Sequence, residues 1–149
     1  MPAFKLTTTT AALASLLFSA PAMATFTNSC RNICIASDSS NILVTECLIS
    51  GGNNGNPNDQ QYQWAELDLN KILGYRSPEF LTYTENGDFS VNNVPCFLCS
   101  MSGSTIDCTC SGGKVSADLN TYIDDVTGVL CFADDQFGPI CGVPSSRTC

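Results

Sequence analysis

The sequence has no histidine and few basic residues, and both shortages limit what the protein can do. Its 149 residues include six lysines and arginines against fourteen aspartates and glutamates, for a net charge of −8 at pH 7. Without histidine, neither a Ser-His-Asp nor a Cys-His triad can be built. Paired carboxylates are still available for hydrolysis, but no pair stands out. An acidic surface also repels nucleic acid and anionic lipid. We therefore expect no enzyme and no nucleic-acid partner.

Long hydrophobic runs are missing beyond the N-terminus. Lys5 precedes an apolar run at 11–20, and small residues at Ala22 and Ala24 suit an A-x-A cleavage site. The run is too short to span a bilayer, which takes roughly 20 apolar residues. This pattern predicts a signal peptide over residues 1–24, with a cut after Ala22 as the alternative. We therefore expect a secreted protein without membrane insertion, whose mature net charge is 5 − 14 = −9.

All ten cysteines follow the predicted signal peptide. An even number in a secreted chain indicates disulfides. Cys96-x-x-Cys99 has the spacing of a zinc ligand pair, but zinc needs reduced thiolates, and histidine is absent as a co-ligand. We expect no metal and no cofactor. The disulfide candidates are Cys30, Cys34, Cys47, Cys96, Cys99, Cys108, Cys110, Cys131, Cys141 and Cys149.

Short alternating apolar stretches separated by turn residues predict a mainly β protein. A polar turn at 36–41 predicts a hairpin between Ile33 and Val44, and a second one follows within 97–110. The Asn-Gly pair in Glu85–Asp88 predicts a third hairpin. Only short helical turns are expected, near Leu69–Leu73 and Leu119–Ile123, each after an aspartate that would cap it.

The order of features is duplicated along the chain. In both copies a phenylalanine precedes a cysteine-bearing hairpin, a loop follows, and an Asp-Leu-Asn motif comes next. The motif begins at Asp68 in the first copy and at Asp118 in the second. Such self-similarity predicts one fold built from two like units, because a three-stranded sheet cannot cover its own apolar face.

These repeated motifs, over about Phe26–Phe132, resemble the cyanovirin-N homology family. The resemblance implies two tandem pseudo-symmetric repeats, each a triple-stranded sheet plus a β-hairpin with short helical turns. Repeat one would cover about 25–81 and repeat two about 82–132, followed by a cysteine-containing tail at 133–149. It also implies a non-catalytic lectin whose partners are oligosaccharides or glycoproteins, typically mannose-rich, bound without metal or cofactor.

The family carries up to two sugar sites, and the resemblance transfers both to this chain. The first combines the N-terminal segment, the residues after Cys47 and the turn before the last strand of the domain. It comprises Thr25, Thr27, Asn28, Ser29, Ile49, Ser50, Asp124, Asp125 and Thr127. The second combines the middle hairpin with the segment after Cys110. It comprises Thr84, Glu85, Asn86, Asp88, Ser90, Ser111 and Lys114.

The loop from Cys47 to Asp68 is longer than in the family because of a Gly/Asn-rich insertion, and the loop from Cys110 to Asp118 is shorter. The short second loop, the added disulfides and the strong acidity support a different function. The alternative is therefore a secreted, effector-like protein-interaction scaffold that has lost sugar binding. The link over 74–85 also leaves a monomer or a domain-swapped dimer open.

Hairpin geometry predicts part of the disulfide pattern, because antiparallel partners have a constant sum of residue numbers. Cys30 with Cys47 sums to 77. Cys96 with Cys110 sums to 206 and Cys99 with Cys108 to 207, so both pairs require a bulge between them. The four remaining cysteines are expected to tie the tail to the body.

Overall fold

The computed structural model describes residues 25–50, 60–76, 80–91, 94–132 and 138–149. The predicted signal peptide and most of the Gly/Asn-rich insertion lie outside these ranges. Within them the chain forms thirteen strands and three short 3₁₀ turns, so the predicted mainly β class is confirmed. None of the helices in the described part of the chain is long and apolar enough to cross a membrane.

The strands fall into two halves and a tail. The first half contains β1 (Cys30–Ile35), β2 (Ile42–Ser50), β3 (Gln61–Asp68), β4 (Leu73–Arg76) and β5 (Phe80–Tyr83). The second half contains β6 (Ser90–Val91), β7 (Val94–Ser102), β8 (Thr105–Cys110), β9 (Gly113–Asp118), β10 (Ile123–Val126) and β11 (Val129–Phe132). The tail contains β12 (Ile140–Cys141) and β13 (Val143–Pro144), and the 3₁₀ turns are Phe26–Asn28, Leu69–Lys71 and Leu119–Thr121.

The sheets repeat between the two halves. Each half has an antiparallel sheet, β1-β2-β3 in the first and β6-β7-β8-β9 in the second. Each also has a hairpin, β4-β5 in the first and β10-β11 in the second. The tail adds β13 to the free edge of β3 and β12 to the free edge of β11. It therefore covers edges that would otherwise be open to pairing with another chain.

Both predicted helical turns form where an aspartate ends a strand. The Oδ1 atom of Asp68 accepts from the backbone N–H of Asn70, and that of Asp118 accepts from Asn120, each at 3.0 Å. Capping of this kind satisfies a donor that would otherwise lack a partner. The leucine after each aspartate is fully buried.

The asparagine of each Asp-Leu-Asn motif forms hydrogen bonds with the first residues of the other half of the molecule. Asn70 Oδ1 accepts from the backbone N–H of Ser90 at 2.9 Å. Asn120 Oδ1 accepts from the N–H of Thr27 at 3.3 Å, and Asn120 Nδ2 donates to Thr27 Oγ1 at 2.7 Å. Each motif therefore fixes the beginning of the opposite half.

One core lies between the halves. Phe26 and Phe89 are fully buried in it. The rings of Tyr83 and Phe132, at equivalent ends of β5 and β11, stack with centroids 4.0 Å apart and planes 8° apart. The expectation that two like units cover each other agrees with this packing.

The predicted hairpin at Glu85–Asp88 is wrong. β5 pairs with β4, and β6 pairs with β7, so the strands on either side of this segment do not pair with each other. The segment instead packs alongside the second 3₁₀ turn. The N–H of Asn86 donates to Lys71 O at 2.9 Å, and the N–H of Asp88 donates to Asn70 O at 3.1 Å. Gly87 is needed for this close approach, because a Cβ there would lie 2.4 Å from Leu73 O.

The ten cysteines form five disulfides. Cys30–Cys47, Cys96–Cys110 and Cys99–Cys108 join strands within hairpins, as the residue sums predict. The required bulge lies in β7, where the register shifts between Phe97 and Ser100. An equivalent bulge lies in β1 between Arg31 and Cys34. The tail is tied to the body by Cys34–Cys149 and Cys131–Cys141.

Candidate functional site

The three segments of the first predicted site come together on one surface. The 3₁₀ turn Phe26–Asn28 contacts β10. The backbone N–H of Leu48 donates to Ser29 O at 3.0 Å, which brings the end of β2 to the same turn. The Asp125 carboxylate lies within 4.8 Å of the sulfurs of Cys30 and Cys47. Segments far apart in sequence are therefore neighbours here.

Some predicted side chains on this surface are open to solvent. Asp124 and Thr127 are exposed, and Ile49 is 39% exposed. Asp124 Oδ1 accepts from the N–H of Asp125 at 2.8 Å, and Thr127 Oγ1 donates to Val126 O at 2.7 Å. Both retain oxygen lone pairs that face solvent.

Other predicted residues mainly shape the surface. Thr27 is held by Asn120, as described above. Asn28 Nδ2 donates to Thr25 Oγ1 at 2.9 Å, and Ser29 Oγ donates to Phe26 O at 3.4 Å. Asp125 Oδ1 accepts from Gly128 N–H at 2.8 Å and so closes the turn between β10 and β11. The side chain of Ser50 lies outside the described residues.

Gln63 belongs to this surface but was not predicted. Its Nε2 atom donates to Gly128 O at 3.0 Å, which ties the turn of β10-β11 to β3. Gly128 has φ +84°, and a Cβ there would lie 2.7 Å from Gln63 Nε2. The backbone angle therefore favours glycine, and a Cβ there would displace the Gln63 side chain from its hydrogen bond. No local sequence signal marks a glutamine that acts across 65 residues.

The cluster of Asp125 with two cysteines is not a metal site. The sulfurs of Cys30 and Cys47 are joined to each other, and a disulfide offers no thiolate to a metal. The carboxylate alone is a weak ligand set. The cluster is better described as an acidic side chain packed on a rigid disulfide.

The second predicted site is partly assembled. Glu85, Asn86 and Asp88 are exposed on the segment that packs alongside the second 3₁₀ turn. Thr84 Oγ1 donates to Tyr83 O at 2.8 Å. Ser111 and Lys114 are exposed near the connection of β8 and β9.

Tyr75 follows Gly74, which forms a β-bridge with Asp88, and reaches the other part of the second site; it was not predicted. Its hydroxyl accepts from Gly112 N–H at 3.0 Å. Strand β5, which pairs with the strand of Tyr75, also contacts β9. A tyrosine on β4 therefore positions the β8–β9 connection.

Ser90 has to be removed from the second site. It is only 3% exposed, and its hydroxyl donates to Cys96 O at 2.7 Å. Its backbone N–H is used by Asn70. The side chain therefore has no surface from which to contact a ligand.

Two clefts that the sequence did not reveal lie on either side of Leu98. The first has a volume of about 600 Å³ and lies between the turn at 36–40 and Phe97. The second has a volume of about 360 Å³ and is lined by β8 and β9, including Lys114. Leu98 contributes to both clefts and is 75% exposed.

Paired charges surround the first bulge. Arg31 Nε donates to Glu46 Oε2 at 2.8 Å, and its guanidinium lies 3.8 Å from the centroid of the Tyr62 ring. Asn32 Nδ2 also donates to Glu46 Oε2, at 3.0 Å. The hydrogen bond from Arg31, assisted by that from Asn32, lowers the pKa of Glu46 below its ordinary value of 4.5 despite some desolvation.

Comparison with solved structures identifies the architecture. The chain superimposes on the MoCVNH3 variant Mo0v, a cyanovirin-N homologue solved in complex with (N-GlcNAc)4. The TM-score is 0.53 at 16% identity, over 74% of this chain and 97% of that one. The fold is cyanovirin-N-like. No protein-family model matches the chain, and no curated protein sequence matches it with significance. The cyanovirin-N-like fold thus rests on the path of the backbone rather than on sequence identity.

Proposed function

We propose that the protein is a secreted, non-catalytic lectin that binds oligosaccharides on the first predicted site. The observation that carries this proposal is the convergence of the three segments of that site within a cyanovirin-N-like fold. The 3₁₀ turn, the end of β2 and the β10-β11 turn lie together around the Cys30–Cys47 disulfide.

The chemistry of this surface suits sugar hydroxyls. Asp124 offers an exposed carboxylate and Thr127 an exposed hydroxyl, while Ile49 adds an apolar contact for the C–H face of a sugar ring. The adjacent disulfide and the Gln63–Gly128 hydrogen bond hold the groups in place before binding. Preorganisation matters because ordering flexible groups on binding costs free energy.

Two neutral ligand classes are proposed as candidates. The family resemblance favours mannose-rich oligosaccharides. The solved cyanovirin-N homologue is a complex with an N-acetylglucosamine oligomer, which adds that class. The excess of acidic side chains disfavours sulfated or phosphorylated glycans.

Secretion is part of the same proposal. Five disulfides in the described residues fit an oxidising compartment. We propose residues 1–24 as the signal peptide, so that Thr25 begins the mature protein.

A protein-interaction scaffold is the second candidate. It is favoured by the loss of Ser90 from the second site, because that serine is buried and bonded to Cys96 O. A protein that binds through an unrelated surface would keep the fold without needing either sugar site.

The test is a glycan array on oxidised protein, followed by titration of mannose-rich and N-acetylglucosamine oligomers. The first site is tested by Asp124→Asn, which keeps the acceptor for Asp125 N–H but removes the charge. We expect about tenfold weaker binding, since a hydrogen bond to a charged group contributes about 1.5–3 kcal/mol.

The matched control is Glu85→Gln, which removes an exposed carboxylate from the second site. If only Glu85→Gln weakens binding, the second site is the functional one. A folded protein that binds no glycan would refute the lectin proposal and favour the scaffold.

A further inference from the structure

The residue at the centre of the second bulge is unexpected for its position. Leu98 has φ +48°, and its counterpart in the first bulge, Asn32, has φ +51°. Asparagine tolerates this left-handed region, whereas a leucine there is strained. Leu98 is also 75% exposed. Neither backbone preference nor burial accounts for leucine at this position.

The second bulge is held rigidly. The disulfide Cys96–Cys110 lies on one side of Leu98 and Cys99–Cys108 on the other. Each spans paired strands of the same hairpin, with Cα–Cα distances of 3.9 and 4.1 Å. The strained backbone therefore presents an apolar side chain in a fixed orientation, an arrangement that often marks a functional position.

The two clefts beside Leu98 combine apolar and polar walls. In the first, Phe97, which is 37% exposed, faces the hydroxyl-rich turn at 36–40. The second is lined by the hydroxyls of Thr109 and Ser116 and by the ammonium-bearing side chain of Lys114, all on the strands of the sheet.

The two carboxylates that line the clefts accept hydrogen bonds, and Lys114 is exposed in the second cleft. The Asp38 carboxylate in the first cleft accepts from Arg147 Nη1 at 2.5 Å. In the second cleft Asp107 accepts a hydrogen bond from Ser116 Oγ. Apart from Lys114, these walls offer apolar contact and hydroxyls, which fits a neutral ligand.

We propose that Leu98 and its two clefts form a binding site for a linear, neutral oligosaccharide that carries acetamido groups. The methyl of an acetamido group would pack on Leu98 and Phe97, while sugar hydroxyls would bond to the serines and threonines of the walls. Leu98 lines both clefts, and a ligand that fills both of them is longer than one sugar. The ligand class rests on the proposed lectin function, but the site shares only Lys114 with the two predicted ones.

The decisive variant is Leu98→Asn, which copies the first bulge and relieves the strained backbone, so the protein is expected to fold. Calorimetric titration would use N-acetylglucosamine tetramer and a mannose tetramer. We expect at least about tenfold weaker binding of the acetylated oligomer, from the loss of an apolar contact, and little change for the mannose oligomer. The control is Val143→Asn, which removes another apolar side chain, 54% exposed, from the tail strand.

Backbone amide NMR with the N-acetylglucosamine tetramer distinguishes failure of the Leu98 site from failure of the lectin proposal. Shifts concentrated at Phe97, Leu98 and Ser37 would support the site. Shifts at Asp124 and Thr127, with full affinity in Leu98→Asn, would overturn it while leaving the lectin proposal intact. Absence of binding to either oligomer by folded protein would overturn both proposals.

Discussion

The two bulges show how a duplicated backbone takes on different roles. In the first, Arg31 and Asn32 bond to Glu46, and the guanidinium lies over the ring of Tyr62. In the second, Phe97 and Leu98 are exposed to solvent. The backbone angle at the centre of each bulge is nearly the same. The duplicated geometry is therefore compatible with a polar network in one half and an exposed apolar ridge in the other.

The disulfides around the bulges differ in the same way. Both bulges begin at a buried cysteine pair, Cys30–Cys47 in the first and Cys96–Cys110 in the second. The second bulge, which ends at Ser100, contains Cys99, and this cysteine is tied within its own hairpin. The first ends at Cys34, which is tied to the tail. The first half thus depends on a distant segment, whereas the second is closed locally.

The largest effect on stability is expected from removing the buried disulfide that precedes each bulge, Cys30–Cys47 or Cys96–Cys110. Cys30→Ala and Cys96→Ala should each lower the free energy of unfolding by about 2–5 kcal/mol. A thermal melt would show a Tm lower by roughly 10 °C. Similar losses would show that the two buried disulfides are equivalent. A nearly unchanged melting temperature under reducing conditions would contradict the proposed role of the disulfide framework.

An intermediate effect on stability is expected from replacing Asn32, the residue at the centre of the first bulge, with the leucine found in the second. Asn32→Leu puts a leucine into left-handed backbone and removes the hydrogen bond to Glu46, so we expect a loss of about 1–2 kcal/mol in denaturant unfolding. The control is Asn32→Gly, which accepts the same backbone angle without the amide. If Asn32→Leu is as stable as the glycine variant, backbone strain is not what separates the two bulges.

The smallest effect on stability is expected from removing the charge of Glu46, which pairs with Arg31 at the first bulge. Because Arg31 lowers the pKa of Glu46 in the folded state, the resulting stability is present above the ordinary value of 4.5. It is lost as the pH falls through the lower, folded-state pKa. Glu46→Gln should therefore melt at a lower temperature than the wild type at pH 7, and the gap should close in acid.

High salt at neutral pH should also narrow the gap between Glu46→Gln and the wild type, because the ion pair is solvent-accessible and screened. A gap that is constant from pH 7 to pH 3 would mean that the glutamate acts through packing.

Local patterns predicted much of the fold. The two capped turns follow from an aspartate placed before a buried leucine, and the disulfides within hairpins follow from antiparallel sums. The tail strands were not predictable, because β12 and β13 are two residues each and have no periodicity. The hairpin predicted from the Asn-Gly pair at Asn86 was wrong because the role of its glycine depends on tertiary packing. Its glycine serves a close approach to Leu73 O, which only the packing of distant segments reveals.

The candidate site was predictable only as a set of segments. The resemblance named the three segments that converge around Asp125, but could not distinguish exposed from buried side chains. Ser90 illustrates this, because its burial depends on the pairing of β6 with β7. Gln63 and Leu98 escaped prediction because their roles depend on long-range contact and on a backbone angle.

The disulfide between Cys34 and Cys149 has a consequence for biosynthesis. The two residues are 115 positions apart, so at about 5–20 residues per second Cys34 precedes its partner by roughly 6–23 s of translation. Until then its thiol is near Cys30 and Cys47 in sequence, and disulfides can form and reshuffle within seconds. Maturation should therefore depend on catalysed thiol exchange that corrects early mispairing, and yield should fall in a host lacking a disulfide isomerase.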